Sequence, residues 1–328
     1  MGLVENSIVL FLSFILLIRG GIYASRSLSN LASILGVSAF AMSFILMALA
    51  TTLPELIVAI NASIVGDTGL VLGNVIGTNI VNITLILGIV AVVSGRIVLL
   101  DYKTFSATRI INIAMIASPL ILIIDGVLSR MDGVLLILFF ITGAFWLLFI
   151  QRKYKLSSVA AKLDGAGNNL IFSFIRHSGV FTLGVALLLF SAYFIVASAK
   201  EISLTLGIPE ILIGIFVVGI GTSLPELSFG LRSAVRGVGA MSVGNLFGAL
   251  VLNSTLILGI AAIIHPVRTQ APNVFWMGAA FMVFSVLLAY SFLRTRKFLT
   301  RNEGIVLIFV YVLFVAAQVV QNTISIHL

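Results

Sequence analysis

Cysteine is absent from the 328 residues, which excludes a disulfide framework, a thiolate metal site and a cysteine nucleophile. Charge is nearly as scarce, at 9% of residues against about 25% in soluble domains. There are only 11 acidic residues and three histidines. No P-loop is present, which argues against direct ATP drive. Polar stretches are short as well, leaving no room for a folded cytoplasmic sensor domain.

What remains is hydrophobic, 60% of residues with a mean hydropathy of +1.24, the composition of an integral membrane protein. A spanning helix needs about 20 apolar residues. Such runs lie near 6–28, 36–65, 69–95, 108–124, 131–150, 178–200, 207–235, 239–264, 273–293 and 304–325, predicting an all-α protein of ten transmembrane helices. The first run reads as a retained helix, because Glu5 precedes it, Arg19 and Arg26 follow only in its second half, and the basic leader and cleavage site of a signal peptide are missing.

The net charge of +8 is distributed for a membrane and not for nucleic acid. With the N-terminus outside, only Arg130, Lys200 and Arg268 fall on the outer side, while the other Lys and Arg residues lie in or near inner loops. This is the asymmetry of the positive-inside rule, and it predicts both termini outside a multi-pass cell-membrane protein. The polar interval 151–177 reads as a cytoplasmic linker between a first half, 1–150, and a second, 178–328. Five spans per half is an odd number, so the halves enter the membrane in opposite orientations. That inverted-topology repeat is an arrangement in which transporters hold a site near the bilayer midplane.

The halves are also written in the same letters. Thr51-Thr52-Leu53-Pro54-Glu55 returns 171 residues later as Thr222-Ser223-Leu224-Pro225-Glu226. Gly73-Asn74 recurs as Gly244-Asn245, Gly77 as Gly248, and Asn82 as Asn253, all without a gap. Glu55 and Glu226 are the two acidic residues in mid-span, where a charge costs a few kcal/mol and marks an ion path by default. Neither has a basic neighbour at helical spacing, so the missing counter-charge is read as a cationic substrate. Pro54 and Pro225 remove a backbone donor and break helices 2 and 7, which frees carbonyls around Ala48–Thr51 and Gly219–Thr222. Backbone so freed is tolerated in a membrane where it lines a cavity.

With the hydroxyls of Thr51, Thr52, Thr222 and Ser223 and the two carboxylates, this makes an all-oxygen cage. Ca²⁺ takes 6–8 oxygens, whereas zinc draws on nitrogen and sulfur. Thr78 and Asn82, four apart on one helix face, add two oxygens near Glu55; their counterparts are Ala249 and Asn253, so one hydroxyl is lost. Asn74 and Asn245 are assigned to interhelical hydrogen bonds, and Gly73/Gly77 and Gly244/Gly248 to close helix packing. Taken alone, Thr52-x-x-Glu55 and Ser223-x-x-Glu226 also fit a capping box. An intramembrane serine enzyme lacks a mid-membrane base, and a passive channel has no need of inverted halves.

These paired segments resemble the alpha repeats of the cation/Ca²⁺ exchanger superfamily, whose sodium/calcium exchangers carry G-T-S-x-P-E and G-N-x-x-G-[ST]-N-x-x-[ND] in each half. The resemblance implies a secondary antiporter, not an enzyme, exchanging Ca²⁺ against Na⁺ by alternating access, with H⁺ coupling as the alternative. It implies ligands at Thr51, Thr52, Glu55, Thr78 and Asn82, and at Thr222, Ser223, Glu226 and Asn253, with main-chain ligands at Ala48 and Gly219. Helices 1 and 6 resemble the family's sliding pair. Asn253 stands where potassium-dependent members carry Asp, which speaks against potassium dependence. No cofactor is expected beyond the transported ions, and no partner beyond membrane lipid.

Overall fold

A computed structural model of the chain describes residues 2–34, 47–98, 102–153, 170–237, 239–296 and 298–327. The central part of the expected linker and the start of the second apolar run lie outside these residues. The protein is mostly helical. Among the described residues seven helices are long and apolar enough to cross a membrane, and an eighth span is the pair Glu210–Thr222 and Leu224–Val235, bent by 41°.

Element boundaries keep the sequence spacing. The helices Leu53–Ile64 and Leu224–Val235 each open on Leu-Pro-Glu and run for 12 residues. Thr68–Ile80 corresponds to Gly239–Leu252, Leu87–Ser94 to Leu258–Ile264, and Arg130–Lys153 to Arg301–His327, with starts 171 residues apart. The chemistry at the ends repeats too. Ser129 and Asp132 form a reciprocal capping box, Asp132 Oδ2 accepting from Ser129 N at 2.8 Å and Ser129 Oγ from Asp132 N at 3.2 Å. Thr300 and Glu303 form its counterpart at the same distances. Each box satisfies two amides at a helix start that otherwise lack acceptors. Gly66 and Gly237, at φ of +75° and +70°, supply the left-handed residue in the turns after the two Leu-Pro-Glu helices.

The halves are bound to each other and not merely adjacent. Arg96–Val98 pairs antiparallel with Phe298–Thr300, and Val127–Leu128 with Val267–Arg268, so each short ladder takes one strand from each half. A Cβ on Gly73 would stand 2.3 Å from Ile211 O, and one on Gly77 would stand 2.4 Å from Ile215 O. Only glycine permits this backbone approach between Thr68–Ile80 and the opening of the seventh helix.

Three stretches are wound as π-helix, Val81–Ile86, Gly214–Val218 and Asn253–Ile257, a feature the sequence reading does not contain. In two of them a threonine hydroxyl bonds back four residues, Thr84 to Ile80 O at 2.5 Å and Thr255 to Val251 O at 2.6 Å. Such back-bonding competes with the regular helical ladder. Single π turns concentrate at functional positions, and Asn82 and Asn253 lie in these two.

The longest helices, Leu3–Ile34 and Leu170–Leu206, exceed the apolar runs that announce them. They cross at glycines, where a Cβ on Gly20 would meet Gly184 O at 2.9 Å. The first helix also lies against both chain breaks: a Cβ on Gly21 would stand 3.2 Å from Pro54 Cγ and 3.5 Å from Pro225 Cγ.

Candidate metal-ion site

Both glutamates are fully buried, with no solvent exposure, and Thr51, Thr52, Thr78, Asn82, Thr222, Ser223 and Asn253 are buried with them. Glu226 lies within electrostatic reach of Glu55, and each carboxyl has a threonine hydroxyl of the opposite half nearby, Thr222 for Glu55 and Thr51 for Glu226.

A buried polar atom left without a hydrogen bond costs about 1–3 kcal/mol, and more if charged. Several such atoms fall on repeat-related residues. Both carboxylate oxygens of Glu55, both of Glu226, Asn82 Oδ1 and Asn253 Oδ1 are buried and without a partner. Six side-chain oxygens held this way fit the lower end of the 6–8 that Ca²⁺ takes. Among the described residues no group of three His, Cys, Asp or Glu could hold a metal ion; the buried oxygens here are of carboxylate, amide and hydroxyl type.

The asparagines of the neighbouring helices fix the hydroxyls. Asn74 Nδ2 donates to the backbone carbonyl of Glu55 at 3.2 Å, and its Oδ1 accepts from Thr78 and from Thr222, each at 3.5 Å. Thr78 and Thr222 touch each other through their hydroxyls at 3.3 Å. On the other side Thr51 donates to Asn245 Oδ1 at 3.3 Å. The interhelical bonds assigned to Asn74 and Asn245 thus run through the candidate ligands themselves. Asn79 has no part in the sequence reading, yet its Oδ1 accepts from Asn253 Nδ2 at 3.0 Å and its Nδ2 donates to Ser254 at 2.9 Å. Its spacing from Asn82, three residues along the same helix, is the signal that could have singled it out.

Two of the expected main-chain ligands already have hydrogen-bond partners. The carbonyl of Ala48 is not free, since it accepts from Thr52 N at 2.9 Å and from the Thr51 hydroxyl at 3.2 Å. The carbonyl of Gly219 likewise accepts from Ser223 Oγ at 2.7 Å. The reason is that the helical turn continues as far as Thr52 and Ser223 before the prolines interrupt it. A carbonyl has two lone pairs, so Gly219 O, which accepts from one side chain, keeps capacity for a second partner, while at Ala48 O a donor must turn aside first. The capping-box alternative also fails: neither Thr52 nor Ser223 caps its helix through the side chain, and Thr52 Oγ1 instead donates back to Leu49 O at 3.3 Å.

The profile of the family described as "Sodium/calcium exchanger protein" matches the chain twice, over residues 6–149 and 177–320, two segments again 171 residues apart. "Sodium/calcium exchanger MaX1" of Methanosarcina acetivorans is 29% identical, the alignment covering 94% of this chain and 97% of that protein. "Inner membrane protein YrbG" of Escherichia coli is 30% identical, with 75% and 77% covered. Among solved structures, the sodium-calcium exchanger NCX_Mj soaked with 2.5 mM Na⁺ and 10 mM Sr²⁺ superposes with a TM-score of 0.65 at 26% identity, covering 96% of this chain and 99% of that one.

Proposed function

From the premise that this chain belongs to the sodium/calcium exchanger family, we propose that it is a secondary antiporter exchanging Ca²⁺ against Na⁺ at the Glu55–Glu226 site by alternating access. The observation that carries the reading is the set of six unpartnered, fully buried side-chain oxygens on Glu55, Glu226, Asn82 and Asn253. Two carboxylates without a basic partner form a site that one divalent cation neutralises. Thr51, Thr52, Thr78, Thr222 and Ser223, with the carbonyls of Ala48 and Gly219, complete the proposed coordination for whichever ion is present.

The same reading gives the chain ten spans in two inverted five-helix halves, 1–150 and 178–328, joined by a cytoplasmic linker at 151–177, with both termini outside. The repeated boundaries and the strand ladders shared between halves support it. Leu3–Ile34 and Leu170–Leu206 are proposed to slide across the remaining helices and alternate access. Their close glycine contacts, with Gly21 against both prolines, support that role. No resident cofactor enters the mechanism; the ions are substrates.

The test is Ca²⁺ uptake into proteoliposomes under an imposed outward Na⁺ gradient or, separately, a pH gradient. Uptake that follows the Na⁺ gradient and is lost in Glu55→Gln and Glu226→Gln supports the proposal. Uptake that follows only the pH gradient replaces Na⁺ by H⁺. A second reading, H⁺ coupling, is favoured by one observation: Ala249 withholds from the second half the hydroxyl that Thr78 gives the first.

A further inference from the structure

The helix Thr68–Ile80 of the first half lies along the opening of the seventh helix in the second, and its side of the seam carries glycine at every fourth position. A Cβ on Gly69 would stand 3.2 Å from Glu210 Cβ and 3.3 Å from Ile211 N, one on Gly73 would strike Ile211 O, and one on Gly77 would strike Ile215 O. Farther along, a Cβ on Gly219 would meet Thr78 N at 2.9 Å, and there the Thr78 and Thr222 hydroxyls touch. The seam thus runs from the turn at Asp67 to the candidate ion site.

At its far end stand two carboxyls, one from each half. Asp67 is only 3% exposed. Its Oδ1 accepts from Leu70 N at 2.8 Å, while Oδ2 is buried with no donor to accept from. The Glu210 carboxyl is within hydrogen-bonding and electrostatic reach of it. Two ionised carboxylates offer acceptors only and repel each other, whereas a single proton makes one of them a donor and the other its acceptor. The remaining charged and titratable groups around the turn are exposed: Lys200, at the end of Leu170–Leu206, which favours the ionised form of Asp67; His265, whose ring lies beside Gly66; and Arg268, whose carbonyl accepts from Thr68 Oγ1 at 3.0 Å. Among the described residues no third His, Cys, Asp or Glu joins the pair to hold a metal ion. Neither carboxyl recurs in the repeat, where the mate of Asp67 is Val238 and that of Glu210 is Ala39.

We propose that Asp67 and Glu210 form a proton-binding site that, when occupied, fastens the two halves at the end of the seam remote from the ions. The proton is carried on Asp67 Oδ2 and donated to a carboxylate oxygen of Glu210. Its release leaves two negative charges, one of them buried, that push the turn and the helix opening apart. The proton comes from water at the membrane face these loops share, the outer one in the topology proposed above. The site lies about three helical turns from Thr78, is separate from Glu55 and Glu226, and does not depend on which ions are exchanged.

The experiment is an infrared titration of the purified full-length protein from about pH 5 to 9, following the C=O stretch of protonated carboxyls in wild type, Asp67→Asn and Glu210→Gln. Aspartate is labelled with carbon-13 at its side-chain carboxyl, which sets the Asp67 signal apart from those of Glu55 and Glu226. Wild type is expected to lose one protonated aspartate with a midpoint of about 7. Asp67→Asn lacks that signal, and Glu210→Gln keeps it with a proton affinity about tenfold lower, the effect of removing a neighbouring like charge. A signal that persists in Asp67→Asn, or a midpoint unmoved in Glu210→Gln, overturns the site; either variant decides if the other does not fold. Hydrogen exchange, corrected for the intrinsic effect of pH, reads the fastening. The amides of Thr68–Ile80 should open about tenfold more often above the midpoint than below it in wild type, the worth of one hydrogen bond, and equally often in Asp67→Asn. Equal opening on both sides of the midpoint in wild type overturns the fastening.

Discussion

Replacing Glu226 by Gln is nearly isosteric, yet it removes one of two formal charges and one of six unpartnered oxygens in a site with no solvent exposure. With an ion bound, the complex keeps an uncompensated positive charge in the protein interior. Removing one member of a buried ion pair costs about 3–5 kcal/mol, and tenfold in affinity is about 1.4 kcal/mol. Ca²⁺ affinity should therefore fall by roughly two to four orders of magnitude. Without the ion the sign reverses, because the variant no longer holds two carboxylates against each other away from water. Metal-free Glu226→Gln should unfold at a higher temperature than metal-free wild type. Wild type should gain about 2.7 kcal/mol at Ca²⁺ one hundred times its dissociation constant, and the variant almost nothing. Titration calorimetry and thermal unfolding in detergent read both effects. Calcium stabilisation undiminished in Glu226→Gln would refute the reasoning, whatever transport does.

Asp67, in the turn before Thr68, is pushed up to about 7 by burial and by the neighbouring Glu210 carboxyl, against the pull of its bond to Leu70 N and of Lys200. A carboxyl raised in the fold contributes stability that is complete below its ordinary value near 4 and lost as pH rises through about 7. Wild type should thus lose thermal stability between pH 5 and 8 relative to Asp67→Asn, whose Oδ1 can still accept from Leu70 N; parallel curves would exclude this role. Gly77→Ala places a methyl 2.4 Å from Ile215 O and should destabilise by about 1–3 kcal/mol, the usual cost of overpacking, as read by thermal unfolding. Ser129→Ala removes one half of a capping box and should cost about 1 kcal/mol in the same measurement, with Ca²⁺ binding unchanged.

Much of the architecture is legible in the letters because a membrane leaves few ways to satisfy a backbone. Apolar runs of spanning length must be helices, and their gapless recurrence carries several helix starts, at Leu53, Thr68, Leu87 and Arg130, from one half to the other. The carboxylates are legible for the same reason, since Glu55 and Glu226 fall inside long apolar runs, where charge is expensive. The π turns at Asn82 and Asn253 are not legible, because a threonine that bonds back to the preceding turn is spelled like any other threonine. Nor is the exact point at which a helix stops before a proline. Pro54 fixes that the ladder fails, whereas the Thr52 amide decides that Ala48 O is occupied first. Asn79 is not legible either, because its partner, Asn253, is 174 residues away, a contact made only when the halves come together.

The central claim, that one divalent cation is held jointly by the two repeat-related glutamates, is tested most directly by anomalous diffraction from crystals soaked in Ca²⁺. The account predicts a single strong peak with carboxylate oxygens of both Glu55 and Glu226 at about 2.3–2.6 Å. A peak that touches only one of them, or that lies away from both, would contradict it.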